Sequence, residues 1–132
     1  MAQTPDTDLT AFLGIARATV AAFPAPFATL AAEVSIVIEE MPQEWMLADL
    51  DIGDPLDLTG LYDGVPLTEK SVFDQPMQPD TVWLFRQPIL AEWRARDGVR
   101  LPDLIAHVTV HEFAHHFGWS DDDIAAIDRW WE

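Results

Sequence analysis

The sequence predicts an α+β fold, and three observations lead there. Three short runs are rich in β-branched and aromatic residues and are closed by proline or glycine: Val34–Glu39, Leu61–Gly64 and Thr81–Phe85. Apolar residues recur at helical spacing both before the first run and after the last. The runs and the helical stretches are not in strict alternation, and no repeat or low-complexity tract divides the chain.

The elements follow in order. Residues 1–7 read as a flexible leader and residues 8–132 as one domain, a size that fits a single core. A helix is expected from Asp8 to about Phe23, with Leu9, Phe12, Leu13, Ala16 and Val20 on its apolar face. Pro24 and Pro26 end it, and a short second helix is expected from Pro26 to about Ala32. Val34–Glu39 is the first strand, stopped by Pro42, and Glu44–Leu50 a short helix that gives way to an acidic turn, Asp51–Pro55. Leu61–Gly64 is the second strand, and the polar, proline-punctuated stretch Leu67–Pro79 a loop. Thr81–Phe85 is the third strand, and Ile89–Arg96 a helix ended by Asp97-Gly98. A long helix is expected over Pro102–Phe117: proline suits its first turn, Asp103 the positive end of its dipole, and Gly118 a left-handed stop. A last helix is expected from near Asp121 through Trp130 and Trp131.

Composition narrows the function. The chain has 132 residues and a net charge of −16, with 7 Lys and Arg against 23 Asp and Glu, which argues against binding along a phosphate backbone. It has no cysteine, so disulfides, thiolate zinc sites and thiol catalysis are excluded. No apolar run approaches the roughly 20 residues needed to span a bilayer. The first residues also lack the basic stretch of a signal peptide, so a cytoplasmic protein is the expectation, with neither membrane nor nucleic acid as partner.

The long helix carries the chemistry. His111-Glu112-Phe113-Ala114-His115 is an HExxH motif, and Gly118 and Asp121 extend it to HExxHxxGxxD. Residues four apart lie one turn apart on one helix face, with Cβ atoms about 5–6 Å from each other. Two imidazoles so placed can converge on one zinc ion at about 2.0–2.1 Å. Glu112 is rotated about 100° from His111, beside the metal rather than on it, where a general base for an activated water belongs. A helix that stops at Gly118 lets the chain reverse and return Asp121 as a third, carboxylate ligand. Two histidines, one carboxylate and an open position make a catalytic centre rather than a closed structural one. A set of two histidines and a carboxylate also suits iron.

With these residues in place, the chain resembles the small bacterial zincin-like metallopeptidases, which have a minimal matrix-metalloprotease-like domain. The resemblance rests on VSIVIEEMP (34–42), on LTGLYDGVPLTE (58–69), and on TVWLFRQPIL (81–90) leading to HEFAHHFGWSDDDI (111–124). It implies a zincin-like fold, a small mixed sheet packed on helices that include the HExxH helix. It also implies zinc held by His111, His115 and Asp121, Glu112 as catalytic base, and a peptide or protein substrate. The larger metzincins have a third histidine where this chain has Asp121, and a methionine turn below the metal. Here all four methionines, at 1, 41, 46 and 77, precede the motif.

Other residues have competing readings. His107 continues the His111–His115 stripe, but a third ligand from the same straight helix fits tetrahedral geometry poorly, so a place near the metal or on the surface is preferred to one on it. Asp122 and Asp123 rival Asp121 and are read as acids at a helix start. His116 is rotated off the metal face and reads as a hydrogen-bonded or packed histidine. Tyr62, the sole tyrosine, is either a donor to a tetrahedral oxyanion or a half-buried strand residue. Val82–Phe85 is either an edge that pairs with an extended peptide or an interior strand. Arg86 is expected to pair with a carboxylate. Trp119, Trp130 and Trp131 flank the motif, lining a cleft or packing in a core or dimer contact. The functional expectation is a zinc metallopeptidase. The alternatives are a silent metal-binding interaction domain and a zinc hydrolase of a non-peptide amide or ester.

Overall fold

The computed structural model describes residues 8–24, 27–64 and 80–118. The leader, the loop expected at Leu67–Pro79, and everything from Trp119 on, including Asp121, its two acidic neighbours and the last helix, lie outside them. Among the described residues, five helices and three strands appear in the order α1 (Leu9–Ala21), α2 (Phe27–Ala31), β1 (Ser35–Glu39), α3 (Glu44–Asp49), β2 (Gly60–Asp63), β3 (Thr81–Phe85), α4 (Arg86–Ala95) and α5 (Leu101–Phe117). A single 3₁₀ turn, Pro55–Asp57, sits between α3 and β2. Among the described residues no helix is long and apolar enough to cross a membrane.

Within the described residues, the expected elements form within a residue or two, except at α4. That helix starts at Arg86 directly after β3, three residues before the expected Ile89, because Pro88 falls in its first turn, where a missing N–H costs nothing. Asp8 caps α1: its carboxylate accepts from the Ala11 N–H at 2.8 Å. Arg86 finds its carboxylate in Glu40, at 2.8 Å. Gln87 joins it, its backbone N–H and its side chain both reaching Glu40, so the end of β1 is tied to the start of α4.

The sheet is mixed, in the order β1-β3-β2, with β1 parallel and β2 antiparallel to β3. Residues 82–85 therefore form the central strand, not an edge. Of the two readings of this segment, the interior one holds, and among the described residues β2 forms the sheet edge next to α5. Val82, Leu84 and Phe85 are fully buried, the mark of a strand covered on both faces.

Alternation along β3 splits the core in two. Val82 and Leu84 face the main cluster, where Phe12, Ala16 and Val20 of α1 meet Leu104, Ile105, Val108 and Phe113 of α5. Phe85 faces a smaller cluster with Met46 and Leu58, and Trp83 packs against it. Each fully buried Leu, Val or Phe contributes about 1.5–3 kcal/mol. Three phenylalanines close the C-terminal half of α5: Phe23 meets Phe113 edge-on at 5.7 Å and Phe117 at 6.2 Å. This packing holds one face of α5 rigidly and leaves the His107–His111–His115 stripe on another.

Candidate metal centre

The motif helix runs unbroken from Leu101 to Phe117 and stops at Gly118, whose φ of 69° and ψ of 31° are left-handed. The expected stop is therefore where the spacing puts it. Helical continuity through residues 111–115 sets His111 and His115 one turn apart on one face. His115 is exposed and His111 half-buried. The imidazoles of His107 and His111 lie 4.4 Å apart between ring centres, at 61°. His107 thus touches a candidate ligand.

Glu112 lies beside His111 and reaches under β2. Its carboxylate accepts the backbone N–H of Tyr62. Burial pushes its pKa up to about 7, against opposing pulls from His111 and from that N–H. Gly60 makes the approach possible: a Cβ there would stand 2.9 Å from Glu112 Cγ, 3.0 Å from Val108 Cγ1 and 3.1 Å from the Trp83 carbonyl oxygen. A larger residue would push the strand off the helix, so glycine at 60 is a requirement of the site and not only of the chain's turn into β2.

The ring of Tyr62 is held as firmly as its backbone. Its hydroxyl donates to Asp80 Oδ2 at 2.7 Å and lies 3.2 Å from His116 Nδ1. His116 Nδ1 is itself 3.0 Å from Asp80 Oδ2, and both side chains are almost fully buried. Desolvation, then the Asp80 carboxylate, push the tyrosine pKa well above its ordinary value. The hydroxyl is thus committed inside the protein, which favours the packed-tyrosine reading over oxyanion donor, and His116 is a hydrogen-bonded neighbour of the metal face. The network ties β2, the residue before β3 and α5 together beside Glu112.

Asp80 and Gly60 were not singled out by the sequence. Asp80 sits at the end of a polar stretch that reads as loop, and only packing shows that it is buried. A Cβ on Gly64 would come within 2.5 Å of its carboxylate. The glycines of the Leu58–Glu69 block are the one signal that backbone and side chains approach closely there.

Among the described residues no three His, Cys, Asp or Glu side chains converge as a metal site. Two imidazoles on one exposed-to-half-buried face, with a carboxylate beside them, nevertheless fit a zinc centre whose third ligand comes from further along the chain. Asp121, the expected third ligand, lies outside the described residues.

A helix bearing HExxH, packed under the antiparallel edge strand of a small mixed sheet, defines the zincin-like class of α+β domains. The chain belongs to the zincin-like metallopeptidase family, whose profile matches residues 31–131. No curated protein matches the chain.

Proposed function

We propose that the chain is a zinc-dependent peptidase in which His111, His115 and Asp121 hold the metal and Glu112 is the general base. The observation that carries this reading is the placement of the Glu112 carboxylate. It lies on the motif helix next to His111 and is fixed from the other side by the Tyr62 N–H. Zinc, when bound, supplies a Lewis acid that polarises the scissile carbonyl and makes a water easier to deprotonate.

The chain's own residues do the rest. Glu112 accepts a proton from the attacking water and returns it to the leaving amine, a role that requires a fixed carboxylate within hydrogen-bond reach. The packing of Gly60 and Tyr62 on α5 supplies the fixing. The substrate lies along β2. Phe85 N–H donates to the Thr59 carbonyl at 2.9 Å, so by alternation the main-chain groups of Gly60 and Tyr62 face away from β3. Among the described residues no strand pairs with that edge. Because Glu112 keeps the Tyr62 N–H, an extended peptide added there pairs with Gly60 and the Tyr62 carbonyl and passes over the His111–His115 face.

Glu112→Gln tests the reading. The variant is expected to bind zinc as the parent does and to lose roughly 10²–10⁴-fold in hydrolysis of a peptide library. Equal hydrolysis by the variant would remove Glu112 from the mechanism.

A further inference from the structure

A cavity of about 190 Å³ opens where the α4–α5 turn meets the first turns of α5. His107 forms part of its wall, and the same imidazole is 4.4 Å from that of His111. The cavity is therefore one helical turn from the candidate metal ligands, at the N-terminal end of their stripe.

Its shape is set by packing. Leu104, 2% exposed, lies at its base, and the half-buried Val99 forms a side. The Trp93 indole N–H donates to the Val99 carbonyl at 2.9 Å and holds the turn closed, while Gly98, at φ 76°, lets the chain reverse. The space is large enough for one substrate side chain and has an apolar floor.

The mouth is cationic in a chain that is strongly acidic. Of the 7 Lys and Arg in the whole sequence, two, Arg96 and Arg100, line this cavity. The ε nitrogen of Arg96 is 3.1 Å from a Glu92 oxygen, which engages one side of its guanidinium. Arg100 is exposed and has no ion-pair partner among the described residues. The one acid of the lining, Asp103, sits in the first turn of α5, where the helix dipole favours it, and does not pair with Arg100.

We propose that this cavity is a substrate subsite selective for glutamate, its stem over Val99 and Leu104 and its carboxylate on Arg100. A planar guanidinium matches a carboxylate in two parallel hydrogen bonds, and the methylenes of glutamate suit an apolar floor that aspartate is too short to cover. The subsite rests on the peptidase reading above, because it makes the cavity a pocket next to the cleaved bond.

The test uses the full-length, zinc-loaded chain and matched peptides carrying Glu, Gln, Leu or Lys at each position flanking the cleaved bond. At one position Glu is expected to exceed Gln by about tenfold in kcat/KM, the scale of one charge-assisted contact. Arg100→Glu is expected to abolish that preference and favour Lys. Fluorescence anisotropy of the same peptides on Glu112→Gln should give the same ranking as binding alone. Cleavage without a Glu preference, or a Glu preference that survives in Arg100→Glu, overturns the subsite and leaves the peptidase reading standing. If no peptide is cleaved or bound, both fall together.

Discussion

Replacing Gly60 by alanine perturbs the site at its tightest point. The added methyl would stand 2.9 Å from Glu112 Cγ and 3.1 Å from the Trp83 carbonyl oxygen, where ordinary contact begins at 3.4 Å. Trp83 is on the central strand and cannot retreat, so either β2 or the Glu112 side chain must move. Overpacking of this kind costs about 1–3 kcal/mol. Alanine recovers about 0.4–1 kcal/mol by restricting the unfolded chain. The net loss is about 1–2 kcal/mol, which lowers Tm by roughly 3–8 °C in a domain of this size. Activity suffers more than stability, because a displacement of about 1 Å at a catalytic group costs up to about 100-fold. The assay pairs thermal unfolding of the metal-free protein with peptide hydrolysis and zinc affinity of the loaded one. Zinc binding is expected to survive, since the proposed ligands are His111 and His115 rather than Glu112. A Gly60→Ala variant as stable and as active as the parent would refute the close packing of β2 on α5.

Further outcomes follow from the same contacts. Asp80→Asn leaves Tyr62 and His116 competing for a neutral amide, so a loss of about 1–3 kcal/mol is expected in urea unfolding. Tyr62→Phe should cost less, about 1 kcal/mol, and the two changes should combine to less than their sum because they share one network. The Arg86 hydrogen bond lowers the Glu40 pKa, so the pair stabilises the fold above the ordinary carboxylate range and its contribution disappears as pH falls through the lowered value. Glu40 is half exposed, so Glu40→Gln should cost less than about 1 kcal/mol at neutral pH and nothing in strong acid, as read by denaturant midpoints.

Local patterns made much of this fold legible. Gly118 marked the end of α5, and the β-branched runs marked three strands, because both signals depend on a few neighbouring residues. The start of α4 was hidden by Pro88, which looks like a breaker but is harmless in a first turn. The strand order was out of reach, since β1 pairs with β3 and not with β2, the next strand in sequence, and the choice between edge and centre depends on distant packing. The HExxH stripe was legible because helical spacing alone creates it. The network beside that stripe was not: Asp80 meets His116 from 36 positions away, and Tyr62 turns its hydroxyl inward, only because β2 is stacked on α5. Tyr62 thus moves from a possible oxyanion donor to a residue that holds Glu112 through its backbone.

In the proposed site, zinc sits on the His111–His115 face with Glu112 beside it and not bound to it. Anomalous diffraction at the zinc edge, from crystals of the zinc-loaded chain, tests this directly. The account predicts one zinc peak within about 2.0–2.1 Å of an imidazole nitrogen of both His111 and His115, closed by a carboxylate from beyond Gly118. It also predicts that the Glu112 carboxylate stays on the Tyr62 N–H. A peak shared by His107 and His111, with His115 uninvolved, would contradict it.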